Sequence, residues 1–423
     1  MAKLNNEQIL YKRKAKQPGF AYTLLGGIWK LFMFKQYGVK VEDKVNIKKV
    51  KGPHIVISNH ASRQDYIFMG VPLYPNRYNF VAGYNEFYRS HLKLVFKLLR
   101  VIPKKNFVPD VYTIKEMRRI INDGGRIVIF PEGMNSISGA NQPIAIGTGK
   151  MIKHFKVPVY YSLIKGGYMT CPKYVLDERK GRVEVTIDQL FSVDEIEKLS
   201  AEEIEEKINK AIYHDEFAWN KIHQYHYKIN NNAATNLHHL LFWCPKCGKQ
   251  FTMIGEKNEI RCTHCGNGAT LDDTYSMTPF DETCVIPETQ TEWFRKQRAV
   301  IKEEVKDENF SFQAEVDLGM LPPHGSLKNQ RTSNIVGSGI ITINRKGLSY
   351  KGTRDGKPFE FEIPSLDLPT YGMCTDMTRF YTFYKGEFVE FYPKEPCVEK
   401  FFLATEEIHR LNGGRWKDFS WEE

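Results

Sequence analysis

The chain has 423 residues, 42% of them hydrophobic and 26% charged, which excludes wholesale disorder and exceeds what one ordinary core accommodates. Its net charge of +10 is unevenly held: residues 1–170 carry 28 Lys and Arg against 9 Asp and Glu, and residues 171–423 are net acidic. Eight cysteines, four of them in two CxxC pairs, exclude a disulfide framework and point to a reducing compartment with a metal.

The basic excess faces phosphates: those of nucleic acid, an anionic membrane surface or a phosphorylated substrate. The amino terminus, MAKLNNEQILYKRKAKQ, is basic and no small-residue cleavage site follows, so no signal peptide is expected. Gly19 to Phe34 is the most apolar stretch, but Lys30 interrupts it and it is shorter than the ~20 residues a span needs. Lys12, Arg13, Lys14 and Lys16 precede Phe20, Tyr22, Trp29, Phe32 and Phe34. That order suits a helix lying in the headgroup layer, so residues 1–44 are expected to associate with membrane. The alternative is a buried amphipathic helix covering the first domain, and Gly26-Gly27 weakens either helix.

From 45 to 228, strand-like runs (54–58, 78–83, 126–130, 157–164, 183–187) alternate with helix-length stretches such as 89–100 and 110–122. This predicts an α/β domain with a mostly parallel sheet flanked by helices. A capping box at Ser200 and Glu203 opens a closing helix with Ile204, Ile208 and Ile212 on one face. A cysteine-rich module at 240–275 follows, then an acidic linker and helix over 276–308. Residues 309–423 read as β-rich, with hairpins at Lys385-Gly386 and Arg345-Lys346-Gly347. A last helix near 397–411 is expected to place Val398, Phe402 and Leu411 inward. Several strands closed by one helix suit a small half-barrel, such as a pleckstrin-homology-like fold.

The chemistry is concentrated in the first domain. The strand HIVIS runs into Asn59-His60, and Asp65 follows five residues after the histidine. An imidazole at a strand's end takes a proton from a hydroxyl, and a carboxylate on its other nitrogen fixes the tautomer and stabilises the imidazolium. A five-residue offset brings the two together only where the chain turns between them. By itself such a pair is as readily a capping Asp and a satisfied His. The strand RIVIF ends in Pro131-Glu132-Gly133-Met134-Asn135-Ser136, a second polar turn beyond a strand end, where α/β domains place ligands. LLRVIPKKN puts Lys104 and Lys105 in the same basic region.

NHASRQD, VIPK, FPEG and VPV, in that order and spacing, resemble the four blocks of the glycerol-phosphate and lysophospholipid acyltransferases, the 1-acylglycerol-3-phosphate acyltransferase group. The resemblance covers residues 50–165. It implies that His60 and Asp65 form the catalytic dyad, and that a glycerol hydroxyl deprotonated by His60 attacks the thioester of acyl-CoA or acyl-carrier protein. It assigns acceptor binding to Lys104, Glu132, Gly133, Asn135 and Ser136, has Val157-Pro158-Val159 line an acyl channel, and implies no catalytic cofactor. Two positions depart from the pattern. Lys104 stands where the family has Arg, which removes a bidentate fork. FPEGMNS stands for FPEGTRS, so Met134 and Asn135 replace a hydroxyl and a cation. Lys105, Arg63 and Arg126 are candidates to compensate alongside Lys104.

Cys244-x-x-Cys247 and Cys262-x-x-Cys265, fourteen residues apart, predict two knuckles closing a four-thiolate structural zinc site, with Gly248 and Gly266 permitting the turns. The ribbon and the residues after it are net acidic, so no nucleic acid is expected. Bacterial members of this group with a C-terminal zinc ribbon and a β-rich tail are what the second half resembles. The expectation is a cytoplasmic enzyme, peripheral on the inner face of an anionic membrane, acylating a lysophospholipid. The rivals are a non-catalytic lipid-binding adaptor and an acyltransferase for another acceptor.

Overall fold

The computed structural model describes residues 4–32, 34–328 and 331–415. Met1–Lys3 and Met33 of the expected amino-terminal segment, and residues 329–330 and 416–423 of the last domain, lie outside them. Helix α1 (Asn6–Lys12) opens on an Asn5–Gln8 capping box, and α2 (Phe20–Phe32) follows. The glycine pair does not break α2: a β-carbon on Gly26 would stand 2.9 Å from the ring of Tyr74, so the small residue lets the helix lie against that ring. Tyr22 and Gly26 face inward, and Phe20, Leu24, Ile28, Leu31 and Phe32 are left in solvent.

The first domain is built on seven strands: β1 (Lys40–Asp43), β2 (His54–Ser58), β3 (Asn79–Gly83), β4 (Ile102–Lys104), β5 (Arg126–Ile129), β6 (Val159–Lys165) and β7 (Glu184–Phe191). Their order is β1-β7-β6-β2-β5-β3-β4. The five from β6 to β4 are mutually parallel, and β7, paired antiparallel to β6, carries β1 along its outer edge. The sheet therefore takes in residues 40–43, ahead of the expected boundary at 45.

Helices α3 (Asp65–Leu73), α4 (Ser90–Leu99), α5 (Val111–Asn122), α6 (Thr148–Phe155), α7 (Gly167–Thr170), α8 (Val193–Lys198), α9 (Ala201–Ile212) and α10 (Glu216–His223) complete the domain. Central β2 is buried along its whole length, as a parallel strand covered on both faces must be. Ile55, Ile57 and Ile127 pack on one face, Val56 and Val128 on the other. The Ser200–Glu203 capping box starts α9, whose Ile204, Ile208 and Ile212 are buried. Because β2, β3, β4 and β5 are parallel, the chain leaves all four at one end of the sheet, and the three polar blocks converge there.

The cysteine-rich module carries a four-stranded antiparallel sheet of β8 (Met253–Glu256), β9 (Glu259–Cys262), β10 (Gly268–Leu271) and β11 (Met277–Pro279), followed by α11 (Gln290–Glu304). The last domain comprises β12 (Ser311–Met320), β13 (Asn334–Asn344), β14 (Gly347–Arg354), β15 (Lys357–Pro364), β16 (Gly372–Met373), β17 (Phe380–Tyr384), β18 (Glu387–Pro393) and α12 (Val398–Leu411). Its order, β15-β14-β13-β12-β18-β17-β16, is two antiparallel meanders joined through β12 and β18, the half-barrel arrangement expected of a pleckstrin-homology-like fold. Both expected hairpins are present. On α12, Val398 and Phe402 are buried, but Leu411 is exposed. Nine residues at about 100° each turn it to the opposite side from Phe402.

One apolar core joins these parts, running from Met134, Ile137 and Tyr168 through Leu241 and Met253 to Met373, Phe380 and Phe401. The loop between β12 and β13 also reaches back. Leu327 exchanges backbone hydrogen bonds with Tyr88 (2.8 Å) and Ser90 (2.9 Å), and Asn6 N–H donates to Pro323 O at 2.8 Å.

Candidate active site

His60 lies two residues beyond β2, and Asp65 is the first residue of α3, so the intervening turn brings them together. His60 Nδ1 is 2.7 Å from Asp65 Oδ2. Asp65 is buried and also accepts from Ser62 N–H (3.0 Å to each oxygen) and Ser62 Oγ (3.2 Å). Burial raises its pKa, while the contacts with His60 and Ser62 favour the carboxylate. With Nδ1–H given to Asp65, Nε2 presents its lone pair, and it has no partner among the described residues. The His60 side chain remains a quarter exposed. Phe130 stacks on the imidazole at 4.6 Å between ring centres.

The block after β5 holds the histidine's backbone. Glu132 is fully buried and accepts from His60 N–H (2.7 Å), Asn141 Nδ2 (2.7 Å) and Gln142 N–H (2.8 Å). Its pKa is pushed up to about 8 by burial, against the pull of those donors. Ser136 N–H donates to His60 O at 2.6 Å, while its hydroxyl serves its own turn, donating to Ala140 O (2.7 Å) and accepting from Gly139 N–H (3.0 Å). Glu132 and Ser136, expected at the acceptor, thus spend their polar groups on His60 and its neighbouring loop. Gly133, at φ 80°, has the left-handed backbone the turn needs, and its carbonyl accepts from Asn106 Nδ2 at 2.9 Å. On the other flank, the Asn59 side chain is locked to Ile164 by two 2.7 Å hydrogen bonds.

The expected cations divide sharply. Lys105 Nζ is committed to Glu7 (2.9 Å) and Gly386 O (2.8 Å), within a cage of Tyr11, Tyr84 and Phe383. Arg63 caps the carbonyls of Val175, Leu176 and Asp177, and Arg126 donates to Val50 O over the ring of Tyr78. Lys104, at the end of β4, has no hydrogen-bond or ion-pair partner among the described residues, and burial lowers its pKa. Val157 and Val159 lie in the sheet core at the opposite end of the strands, where Val159 pairs with Ile55, away from His60. They are poorly placed to line a channel at the dyad.

Met134 and Asn135 are accounted for by packing. Met134 enters the interdomain core, and Asn135 Oδ1 accepts from Lys173 Nζ at 2.6 Å. This contact to the polar turn is one that sequence reasoning missed: Lys173 stands 38 residues further on, in CPKY, with no motif around it.

In the ribbon, the sulfurs of Cys244, Cys247, Cys262 and Cys265 all lie within 4.8 Å of one another. Asn267 Nδ2 approaches Cys244 Sγ at 3.7 Å and Thr252 Oγ1 lies 3.2 Å from Cys262 Sγ, donors suited to thiolates. Four soft sulfurs clustered in this way can hold a tetrahedral metal, and four protein ligands leave no open position for catalysis.

Residues 38–164 match the family model described as Acyltransferase. The chain is similar to the crystal structure of the 1-acyl-sn-glycerophosphate (LPA) acyltransferase PlsC from Thermotoga maritima. The identity is 21% and the TM-score 0.39, over 45% of this chain and 75% of that one. No curated protein matches the chain.

Proposed function

We propose that this protein transfers a fatty acyl group from acyl-CoA or acyl-carrier protein to the free hydroxyl of a lysophospholipid, with 1-acylglycerol-3-phosphate, giving phosphatidic acid, the foremost acceptor. The observation that carries this reading is the 2.7 Å His60–Asp65 pair with Nε2 unpartnered, inside the region that matches the Acyltransferase family model. Nε2 takes the hydroxyl proton as the acceptor oxygen attacks the thioester carbonyl carbon. The imidazolium, stabilised by Asp65, then returns that proton to the departing thiolate as the C–S bond breaks. Atoms and charge balance without a covalent acyl-enzyme. Lys104, the uncommitted cation at the same end of the sheet, supports an acceptor that carries phosphate.

The site works at a lipid surface in this reading. No helix among the described residues is long and apolar enough to cross a membrane. Phe20, Leu24, Ile28, Leu31 and Phe32 form an exposed apolar face on α2, and Leu94 and Leu98 on the neighbouring α4 extend it. With the basic excess of the first 170 residues, this suits peripheral binding to the anionic inner face of the membrane. The ribbon holds a structural zinc.

The deciding experiment measures thioester consumption by wild type and His60→Ala with lysophosphatidic acid among several acceptors. General-base loss is expected to cost about 10³-fold. Absence of turnover with every acceptor, in folded and zinc-loaded wild type, would leave the adaptor role instead.

A further inference from the structure

The turn from His60 to Asp65 is secured partly by its own residues and partly by a loop far along the chain. Within the turn, Ser62 donates to Asp65, and Gln64 N–H donates to Ser62 Oγ at 3.2 Å. The side chains of Arg63 and Gln64 reach out of it. The Arg63 guanidinium donates to the carbonyls of three consecutive residues: Val175 at 3.3 Å, Leu176, and Asp177 at 3.1 Å. Gln64 Nε2 donates to Glu178 Oε1 at 2.5 Å, and the other Glu178 oxygen accepts from Tyr37 OH at 2.8 Å.

Residues 170–179 form a compact loop whose ends meet, Arg179 N–H donating to Thr170 O at 2.7 Å. The loop is also fastened to the later modules. Asp376 N–H donates to Lys173 O at 2.8 Å, and Lys173 Nζ to Met373 O at 3.0 Å. Tyr174 OH donates to Ala233 O at 3.1 Å, and the buried Arg179 to Asn232 O at 2.6 Å and Tyr275 OH at 3.0 Å. The loop therefore stands between the dyad turn on one hand and the ribbon and last domain on the other. A guanidinium, with five donors in a rigid plane, is suited to grip three carbonyls at once; a lysine offers three donors on a flexible stem. Such a grip matters at a general base, because a displacement of about 1 Å can cost about 100-fold in rate.

We propose that the 170–179 loop is a brace for the dyad and that Arg63 is its positioning residue: by gripping the three carbonyls it fixes the turn that aims His60 Nε2 at the acceptor hydroxyl. Arg63 acts through His60 and does not touch the acceptor. The inference rests on the acyl-transfer reading. It gives the ribbon and the last domain a route to the chemistry, through the hydrogen bonds that anchor the loop.

The test uses the full chain as wild type, Arg63→Met, Arg63→Lys and Glu178→Ala, with Arg63→Met also made in the His60→Ala protein. It reads kcat and KM for lysophosphatidic acid, melting, and amide hydrogen exchange in peptides covering 59–66 and 170–179. Arg63→Met is expected to lower kcat about tenfold with KM within about twofold, and to speed exchange in both peptides about tenfold while α9 is unmoved. Arg63→Lys should recover part of both effects. Because Arg63 acts through His60, the same substitution should alter the residual rate of His60→Ala by less than about twofold. An Arg63→Met protein that melts like wild type and keeps its kcat would overturn the proposal. So would a KM that rises while kcat holds, since Arg63 would then bind the acceptor itself, and so would an equal loss in both backgrounds. If Arg63→Met does not fold, Glu178→Ala decides: Glu178 is exposed, and its loss frees Gln64 and Tyr37. It is expected to lower kcat about threefold and to speed exchange in the same peptides, and no change in either would sink the brace. Wild type that acylates nothing, while exchange responds as stated, would refute acyl transfer and leave the brace standing. Turnover with unmoved exchange in the variants would do the reverse.

Discussion

His60 is held at three points by two parts of the chain: Nδ1 by Asp65 at the start of α3, and the backbone N–H and carbonyl by Glu132 and Ser136 N–H of the block after β5. The first of these was legible in the sequence, because a histidine and an acid near a strand end announce their chemistry by residue type. The others were not, because a glutamate in a polar turn reads equally well as a ligand or as a clamp. Only the positions of the three N–H groups around Glu132 decide. The clamp has a measurable consequence. Glu132→Ala leaves three donors without their acceptor, one of them on His60, and is expected to cost about 2 kcal/mol, or some 30-fold in kcat, with a smaller change in KM. The pH dependence comes from burial. The folded pKa of Glu132 is raised from 4.5 to about 8, so the folded chain binds a proton there that the unfolded chain has released. That contribution to stability is complete below about pH 4.5 and is lost as pH rises through about 8. Urea midpoints at pH 5 and pH 8.5 should therefore show the gap between wild type and Glu132→Ala narrowing at the higher pH. A gap that widens would mean the three donors outweigh burial.

At the scale of elements, strands and caps followed the pattern of the residues closely. Short apolar runs rich in Val, Ile and Tyr located β2, β3, β5, β6 and β7, and the Ser200–Glu203 box located the start of α9. Patterns fail where a face is set by a distant neighbour. Gly26 reads as a helix breaker until Tyr74 is seen against it, and Leu411 reads as core until its angular position on α12 is followed. The face that α2 leaves exposed is itself testable. Burying a leucine is worth about 1.5–3 kcal/mol, so Leu24→Asp with Leu31→Asp is expected to weaken binding to anionic vesicles by about 100-fold or more. Both side chains are more than half exposed, so folding should be spared. Sedimentation with phosphatidylglycerol vesicles, beside turnover of a water-soluble short-chain acceptor, separates lipid docking from chemistry. Unaltered sedimentation would return α2 to the role of a cover for the first domain.

At the scale of the whole molecule, the second half is built into the first. The sequence divides the chain by composition into a basic catalytic part and an acidic tail, and gives no sign that they share a core. Contacts such as Lys173 to Met373, 200 residues apart, have no local signature. In the fold, Met134 of the FPEG block and Met253 of the ribbon belong to one apolar cluster with Phe401 of α12, and Lys105 ties α1 to the β17–β18 turn. Zinc loss should therefore reach the dyad's surroundings as well as the ribbon. A four-thiolate site contributes folding energy that is lost with the metal. Cys262→Ser is thus expected to release one zinc per chain and to lower Tm by roughly 10 °C. It should also reduce acyl transfer, although Cys262 belongs to another module than His60. Metal analysis, melting and thioester consumption on the same preparation decide the matter. If zinc is lost and Tm falls while kcat/KM holds, the ribbon stabilises only itself. If activity falls with Tm and returns when zinc is restored to a chelator-treated wild type, the shared core transmits the metal's contribution to the acceptor loop.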